Sequence, residues 1–240
     1  MRIGAKSDIG RYRKLNEDSF FVYRNERLVG GMVADGMGGY NSGEVASKMA
    51  VDIVKCGVMD GFDPEMDYFE LSEVLRKSLM EANDEIYRKS KCEENEGMGT
   101  TSAVAFVFKG KLITANIGDS RVYVVDENDI RQITKDHSYV EELIDIGEIS
   151  AESAKTHPQR NYITRALGTE TFVKSDISIS EYTGERIVVC SDGLTNLVSD
   201  EQIKNIVMEN DDFDIAAQKL VELANRKGGT DNITCVIFDV

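Results

Sequence analysis

The sequence lacks the features that would place a protein in a membrane or outside the cell. None of its apolar stretches approaches the roughly 18 residues that a membrane span needs, and the first ten residues contain no apolar run of a secretory signal. The four cysteines lie far apart, without the close pairs that chelate zinc; they are Cys56, Cys92, Cys190 and Cys235. We therefore expect a cytoplasmic protein with no membrane insertion, whose thiols are reduced and mostly packed.

Positive charge is also scarce, since 28 lysines and arginines stand against 43 acidic residues, for a formal net charge of −15. Such a chain repels polyanions, and no clustered basic face with interleaved aromatic residues compensates for this. We therefore expect no nucleic acid partner. A phosphorylated substrate would need a local reversal of the field, which bound divalent cations would provide.

Proline is rare, with two residues in the chain, and no low-complexity run occurs. The 41% of hydrophobic and 30% of charged residues are typical of globular proteins. The length of 240 residues fits one large domain or two small ones. We predict a single domain over residues 1–240 that folds by itself.

Short runs rich in β-branched and aromatic residues alternate with turn sequences. They lie at 19–23, 28–34, 103–108, 112–117, 121–125, 187–190 and 233–240. Links as short as residues 109–111 have hairpin spacing, which indicates antiparallel sheets. Apolar residues repeat at helical spacing over 45–53 and 71–86, and again over 203–207 and 213–224. This pattern predicts an α+β fold, an antiparallel β-sandwich flanked by pairs of helices in α/β/β/α layers.

Residues 136–168 differ from the rest of the chain because helical signals replace strand signals. Ser138 and Glu141 have capping-box spacing, and Gly147 predicts the end of that helix. A second short helix is predicted to run to Pro158. Because the segment has little apolar surface, we expect a small helical flap that lies on the body and is mobile. A buried subdomain is the alternative.

Acidic residues recur next to the predicted strands. Five carboxylates share this placement: Asp18, Asp35, Asp119, Asp192 and Asp231. In the first hairpin, Asp18 and Asp35 are expected on the same rim. Aspartate beside glycine is a common turn sequence, which explains any one of these residues but not all five together. Gathered carboxylates repel one another unless they are protonated, well solvated or neutralised, and hard oxygen ligands favour Mg²⁺ or Mn²⁺.

Glycines beside these carboxylates let the backbone turn sharply and approach an ion or a substrate. They are Gly36, Gly38, Gly39, Gly193, Gly228 and Gly229. The glycines and carboxylates belong to short motifs spread along the chain. In order these are RKLNED at 13–18, VADGMGG at 33–39, GTT at 99–101, GDSR at 118–121, DHS at 136–138, SDG at 191–193 and GTDN at 229–232. The series, which spans almost the whole chain, resembles the metal-dependent PP2C-type (PPM) protein phosphatases, particularly the small bacterial members that act opposite serine/threonine kinases.

That resemblance implies two bound Mn²⁺ or Mg²⁺ ions. By analogy, Asp35 bridges both ions and the carbonyl of Gly36 binds one of them. Asp192 and Asp231 hold the other ion, and Glu17 acts on the second ion partly through water. A hydroxide bridging the pair would attack phosphorus directly, without a covalent phosphoenzyme.

The resemblance also assigns further roles. Asp119 is expected to bind a third, weaker ion that it shares with Asp192. Asp18 is expected to accept a hydrogen bond from the attacking water and orient it. Arg13 resembles the family's phosphate-binding arginine, suited to bidentate contact with phosphate oxygens.

One departure from the family pattern concerns the proton donor. Met37 stands where some members carry a histidine that is proposed to protonate the leaving group. His137 and His157 lie in or beside the flap, so a metal-bound water is the expected donor. His137 and Ser138 are interpreted as shaping the first turn of the flap, with a Ser138 contact to the third ion left open.

The resemblance implies a phosphatase that hydrolyses phosphoserine and phosphothreonine in other proteins, including a serine/threonine kinase. Because no long heptad pattern occurs, we expect a monomer. Two alternatives stay open at this stage. One is a binuclear-metal phosphatase of small phosphate esters. The other is a catalytically silent module that binds phosphoproteins, although Asp35, Asp192 and Asp231 would be expected to be lost in such a module.

Overall fold

The computed structural model describes residues 1–38 and 42–240, so Gly39 of the glycine-rich motif lies outside the described residues. The strands are β1 (Arg2–Asp8), β2 (Asp18–Arg24), β3 (Leu28–Met37), β4 (Gly99–Thr100), β5 (Ser102–Phe108), β6 (Lys111–Ile117), β7 (Arg121–Val125), β8 (Ile130–Gln132), β9 (Asp176–Glu181), β10 (Arg186–Cys190) and β11 (Ile233–Asp239). The helices are α1 (Ser42–Gly61), α2 (Tyr68–Lys89), α3 (Tyr139–Asp145), α4 (Ala151–Ala154), α5 (Asp192–Thr195), α6 (Asp200–Glu209) and α7 (Phe213–Arg226), with a short 3-10 turn at Glu93–Asn95.

The strands form two sheets whose ladders are antiparallel. The terminal sheet, which contains the first and last strands, has the order β1-β11-β10-β7-β8. The hairpin sheet has the order β2-β3-β5-β6-β9, and β4 pairs with β3 at its end. The predicted hairpins are confirmed, because β2 pairs with β3 and β5 pairs with β6.

Three apolar clusters define the layers. Between the two sheets, Val33 and Ala105 of the hairpin sheet pack in one cluster with Val189 and Phe238 of the terminal sheet. Helices α1 and α2 cover the opposite face of the hairpin sheet. Helices α6 and α7 cover the opposite face of the terminal sheet. The predicted α/β/β/α arrangement is therefore confirmed.

The sequence pattern missed four strands: β1, β4, β8 and β9. Strand β1 carries a single β-branched residue, Ile3, yet it pairs with β11 over seven positions. Its partner lies at the opposite end of the chain, as in the pair Arg2 and Asp239. Local periodicity carries little information about a strand that depends on so distant a partner.

Strand β3 extends further than its apolar run. The pattern placed Asp35 after the end of the strand, whereas the ladder continues through Asp35 to Met37. The extension exists because Gly36 pairs with Thr100 and Met37 with Gly99 on β4. Asp35 therefore projects from regular, paired backbone rather than from a turn.

Residues 136–168 lie on the surface, with short helices as predicted. The hydroxyl of Ser138 accepts a hydrogen bond from the N–H of Glu141 at the start of α3, and Gly147 has a φ of 75° just beyond its end. The second helix, α4, ends at Ala154 and is shorter than predicted. Isolated bridges join Ser138 to Ile163 and Leu167 to Thr100, close to the two ends of the segment.

Within residues 1–38 and 42–240, none of the helices combines the length and apolar character that crossing a lipid bilayer requires.

Candidate functional site

Asp18 and Asp35 lie directly opposite each other on β2 and β3, as the hairpin pattern predicted. The backbone of Asp35 is held firmly. Its N–H donates to the hydroxyl of Thr101 at 2.9 Å, and its carbonyl accepts from the N–H of Thr101 and the hydroxyl of Thr100, both at 2.9 Å. The backbone that carries this carboxylate is therefore fixed by strand pairing, by Thr100 in β4 and by Thr101 just after it.

Asp192 approaches Asp35 from the other sheet. It follows β10 and begins α5, so the end of a strand in the terminal sheet delivers it. One oxygen accepts from the amide of Asn196 at 2.9 Å, and the carboxylate is close enough to Asp35 to help raise the pKa of that residue. Gly193 has to be glycine, because an added Cβ would lie 1.9 Å from the carbonyl oxygen of Asn232.

Arg13 and Asp231 form a two-point ion pair just before β11. Nε and Nη2 of Arg13 each lie 2.9 Å from an oxygen of the Asp231 carboxylate. A third nitrogen lies 3.6 Å from Glu17. Arg13 therefore lies beside the carboxylates of the site. Its guanidinium makes a bidentate contact with Asp231, and two oxygens of a phosphate could accept the same contact.

Asn232 makes three side-chain hydrogen bonds within the site, although this role is not evident from the sequence. It is 2% exposed. Its oxygen accepts from the N–H of Glu17 at 2.8 Å, and its amide donates to the carbonyls of Ile9 and Leu15, each at 2.9 Å. The Asn232 side chain thus holds the segment that carries Arg13 and Glu17 next to Asp231.

Ser191 is the second residue that sequence reasoning missed. It is fully buried, and its hydroxyl donates to Oδ2 of Asp18 at 2.7 Å while accepting from the N–H of Thr234 at 3.0 Å. Asp18 is 7% exposed, so this donor supplies one of the few hydrogen bonds available to its carboxylate. A serine before an Asp-Gly pair is so common in turns that its spacing gives no specific indication of such a role.

Glu17 and Gly36 meet at the start of α1. The N–H of Gly36 donates to the carbonyl of Glu17 at 3.0 Å, and the N–H of Gly43 donates to the Glu17 carboxylate. An added Cβ on Gly36 would lie 2.0 Å from the carbonyl oxygen of Gly43. Glycine is therefore required at position 36 for the strand to lie this close to the helix.

Asp119 follows β6, on the side where residues 136–168 join the body. The preceding Gly118 has a φ of 102°, donates its N–H to Nδ1 of His137 at 3.1 Å and accepts from the N–H of His137 at 2.9 Å. Nε2 of His137 lies 3.1 Å from Asp176. His137 therefore orders the first turn of that segment, as its position in the sequence suggested.

The electrostatics of the carboxylates are strongly perturbed. Burial, reinforced by neighbouring carboxylates, raises the pKa of Asp18 to about 7 and that of Asp119 to about 8. Burial also raises the pKa of Asp35 well above its ordinary value, with Asp18 as the first of the repelling neighbours. The pKa of Asp192 is raised by burial and by Asp231. These side chains therefore form one electrostatic cluster in which full ionisation without cations is unfavourable.

Two buried oxygens within this cluster lack a hydrogen-bond partner among the described residues. They are Oδ1 of Asp18 and Oδ1 of Asp192. Burying a charged oxygen without a partner is costly, whereas a divalent cation or a water bound to one satisfies it. The donor set of carboxylates and the Gly36 carbonyl is the hard oxygen set that Mg²⁺ and Mn²⁺ prefer.

The described part of the chain contains no compact group of three His, Cys, Asp or Glu side chains arranged as a ready-made chelating cage. The candidate ligands instead come from separate elements, namely β2, β3, the start of α5 and the turn before β11. Such an arrangement suits ions that retain several water ligands, as Mg²⁺ usually does.

Comparison with known proteins is consistent with this geometry. The Protein phosphatase 2C family profile matches residues 11–234. The serine/threonine phosphatase stp of Listeria welshimeri is 39% identical over 248 residues, covering 100% of this chain and 96% of the relative. Stp1 from Staphylococcus aureus superposes with a TM-score of 0.92 at 34% identity, over 99% of this chain and 94% of that one.

A further solved structure is the catalytic domain of the serine/threonine protein phosphatase PstP in complex with two manganese ions. It has a TM-score of 0.83 at 36% identity and covers 99% of this chain and 97% of that one. Family profile, relatives and folds agree over nearly the full length, and the chain belongs to the protein phosphatase 2C family.

Proposed function

We propose that this protein is a metal-dependent serine/threonine phosphatase that hydrolyses phosphoserine and phosphothreonine by direct attack of water. The observation that carries the proposal is the cluster of buried, mutually repelling carboxylates around Asp18, Asp35 and Asp192. Structural carboxylates of an inactive module would have no reason to stay this close without compensating cations.

Two divalent cations, Mn²⁺ or Mg²⁺, fit the oxygen donors of the cluster. Asp35 would be a ligand of both ions, the Gly36 carbonyl a ligand of one, and Asp192 and Asp231 ligands of the other, with Glu17 acting partly through water. A third, weaker ion would lie between Asp119 and Asp192. When bound, the ions lower the pKa of a water molecule and withdraw charge from the phosphate. The two manganese ions in the PstP structure support the kind and number of the two principal ions.

Asp18 is proposed to orient the attacking water. Its Oδ2 is occupied by Ser191, whereas its buried Oδ1 is free of partners among the described residues and can accept a proton or a hydrogen bond. Burial raises the pKa of Asp18 to about 7 in the metal-free protein, and cations bound beside it would favour the ionised carboxylate, which accepts a hydrogen bond from water. Ser191 fixes the direction in which Asp18 points.

Arg13 is proposed to bind the phosphate of the substrate. Its guanidinium presents two nitrogens to one carboxylate, the geometry it would use toward two phosphate oxygens. A cation at Asp231 would compete with Arg13 for that carboxylate and release the fork for the substrate. Phosphate and cation binding at this site are therefore expected to favour each other.

The proton for the leaving oxygen is proposed to come from water. The Met37 methyl group lies against Gly99 and has no proton to give. His137 is engaged by Gly118 and Asp176, and burial lowers its pKa. Neither residue therefore replaces the histidine that some family members carry.

Residues 136–168 are proposed to act as a flap within a single domain of residues 1–240. The segment contacts the body near both ends and lies beside Asp119, so its movement would alter access to the third ion. We further propose that the enzyme acts as a monomer in the cytosol on phosphoproteins that include a serine/threonine kinase. The four unpaired cysteines suit such a reducing compartment.

The proposal is tested by phosphate release from a phosphothreonine peptide with Mn²⁺ and with a chelator. Asp192→Ala should lower the rate of phosphate release at least about a hundredfold. The control Asp52→Ala, at an exposed position on α1, should leave that rate unchanged. Phosphate release at an unchanged rate in the presence of the chelator, or in Asp192→Ala, would refute the metal-dependent mechanism. A folded, Mn²⁺-loaded protein that binds the peptide without releasing phosphate would instead be the silent binding module.

A further inference from the structure

One short stretch beside the site has a charge opposite to that of the rest of the molecule. Between Asp8 and Glu17 the chain has three cations and no carboxylate. The cations are Arg11, Arg13 and Lys14, and Tyr12 among them is 75% exposed. Over the whole chain such residues are outnumbered, which is why the composition alone indicates no basic face.

The backbone of this stretch is held against the turn that carries Asp231. The N–H of Arg11 donates to the carbonyl of Gly229 at 2.7 Å. Gly10 lies so close to Asp231 that an added Cβ would be 2.2 Å from its carbonyl oxygen. Asn232 bonds the carbonyls of Ile9 and Leu15, on either side of the exposed residues. The loop is thus ordered before a substrate arrives, which reduces the entropic cost of binding through it.

The three cations differ in how far their charge is already neutralised. Arg13 is paired with Asp231 and Glu17. Arg11 and Lys14 are exposed, and neither forms an ion pair with any carboxylate that the structure describes. Their charge therefore remains available to a ligand at the rim of the site.

We propose that Arg11, Tyr12 and Lys14 form a docking surface for acidic residues that flank the phosphorylated serine or threonine of the substrate. This inference rests on the proposed function, because it takes the phosphate to be bound at Arg13. A peptide advances at most about 3.5 Å per residue, so residues one to three positions from the phosphorylated one reach the neighbours of Arg13. Tyr12 offers an apolar face with a polar tip to the same peptide.

A preference for acidic flanks also answers an electrostatic problem. The net charge of −15 repels an acidic peptide at long range, whereas the loop attracts it locally. The two unpaired cations lie at a solvated rim, where ion pairs are individually weak. We expect them to raise kcat/KM for an acidic peptide about three- to tenfold, with an effect that declines as salt increases.

The test compares two phosphothreonine peptides that differ only in carrying glutamate or glutamine on both flanks, with p-nitrophenyl phosphate as a substrate without flanks. The enzymes are the wild type, the double variant Arg11→Gln with Lys14→Gln, and the control Lys77→Gln, whose exposed lysine lies on α2. All are measured with saturating Mn²⁺ at low and at moderate salt.

The wild type and Lys77→Gln should prefer the glutamate peptide at low salt. The double variant should lose that preference but keep its turnover of the glutamine peptide and of p-nitrophenyl phosphate. An equal preference in the wild type and the double variant would overturn the docking surface. If phosphatidylserine vesicles bind the wild type but not the double variant, and no peptide preference exists, the loop is a membrane contact and the proposal fails. Absence of turnover on all three substrates would refute the proposed function itself.

Discussion

Asp18 and Asp35 are cross-strand neighbours in the β2–β3 hairpin. Asp18 is the first residue of β2, and Asp35 lies opposite it near the end of β3. Burial is the main reason that both carboxyls hold their protons to unusually high pH. It raises the pKa of Asp18 to about 7, with Asp192 and Asp231 adding to the effect, and raises the pKa of Asp35 well above its ordinary value, with Asp18 as the first repelling neighbour. Protons and divalent cations therefore compete for the same oxygens.

The first prediction concerns the stability of the metal-free protein. A carboxyl whose folded pKa lies above its unfolded value stabilises the fold below the unfolded pKa, and this stabilisation is lost as pH rises through the folded pKa. For Asp18 and Asp119, with pKa values of about 7 and about 8, stability should fall from about pH 5 to about pH 8. Thermal melting with a chelator measures this, and millimolar Mn²⁺ should raise the melting temperature most at the upper end of the range.

Asp119→Asn provides the control, since it removes one carboxyl with a raised pKa but keeps a side chain that can form hydrogen bonds. The variant should show a flatter decline of melting temperature with pH than the wild type in chelator. A melting temperature that rises steadily between about pH 5 and about pH 8 in metal-free wild type would contradict the pKa shifts that underlie the prediction.

How far the site can be predicted from sequence depends on how local its contacts are. Asp18 and Asp35 belong to one hairpin, so alternation and a turn were enough to bring them together. Arg13 and Asp231 are separated by 218 positions, and only the family resemblance brought them to one site. Periodicity reports which face of an element is buried, but it does not report which distant element packs there.

Residues that support others were not predictable at all. Asn232 follows Asp231 and Ser191 precedes Asp192, each within a motif that the neighbouring aspartate already explains. Their spacing in the sequence therefore gives no separate sign of a supporting role. Their importance arises from hydrogen bonds to backbone and carboxylate groups far away in the chain. Such partners depend on the packing of the two sheets, which residue patterns do not encode.

Asn232→Ala is predicted to affect both stability and catalysis. It removes three hydrogen bonds from a buried side chain and leaves the carbonyls of Ile9 and Leu15 without their donor. The free energy of unfolding should fall by about 2–4 kcal/mol. Because the same bonds hold the segment of Arg13 and Glu17, kcat/KM should fall about 10- to 100-fold, with a higher Mn²⁺ requirement.

Asn83→Ala separates the two effects. Asn83 is also 2% exposed, and it bonds the N–H of Gly168 and the carbonyl of Glu170 rather than the segment of Arg13. It should destabilise the fold comparably without changing the Mn²⁺ concentration that gives half-maximal activity. An unchanged Mn²⁺ requirement in Asn232→Ala would show that Asn232 supports the fold alone.

Ser191→Ala should alter the pH dependence of the reaction. The serine hydroxyl donates to Asp18, which favours the ionised carboxylate and lowers its pKa. Without this donor the pKa of Asp18 rises, so the acid limb of kcat measured with saturating Mn²⁺ should move to higher pH, by up to about one unit. Ser102→Ala, which removes a buried hydroxyl without a partner among the described residues, should leave the limb in place. A limb that does not move in Ser191→Ala would exclude Asp18 as the group that titrates there.

The thiols should divide into two classes. Cys56 and Cys92 are exposed, whereas Cys190 and Cys235 are buried opposite each other on β10 and β11, beneath α7. Burial raises the pKa of Cys235 to about 12 and raises that of Cys190 as well. At about pH 8 the thiolate fraction of Cys235 is therefore only about 10⁻⁴, and the aromatic disulfide reagents used to count thiols also cannot reach it.

Native protein should accordingly release two equivalents of the reagent's thiolate rapidly, and four after denaturation. In a variant with Cys56→Ser and Cys92→Ser the rapid phase should disappear while the protein still melts cooperatively. Rapid reaction of the remaining thiols in that variant would mean that α7 separates readily from the terminal sheet. Because α7 and β11 together support the turn that carries Asp231, such opening would also loosen the cation site, and bound Mn²⁺ should then slow the reaction.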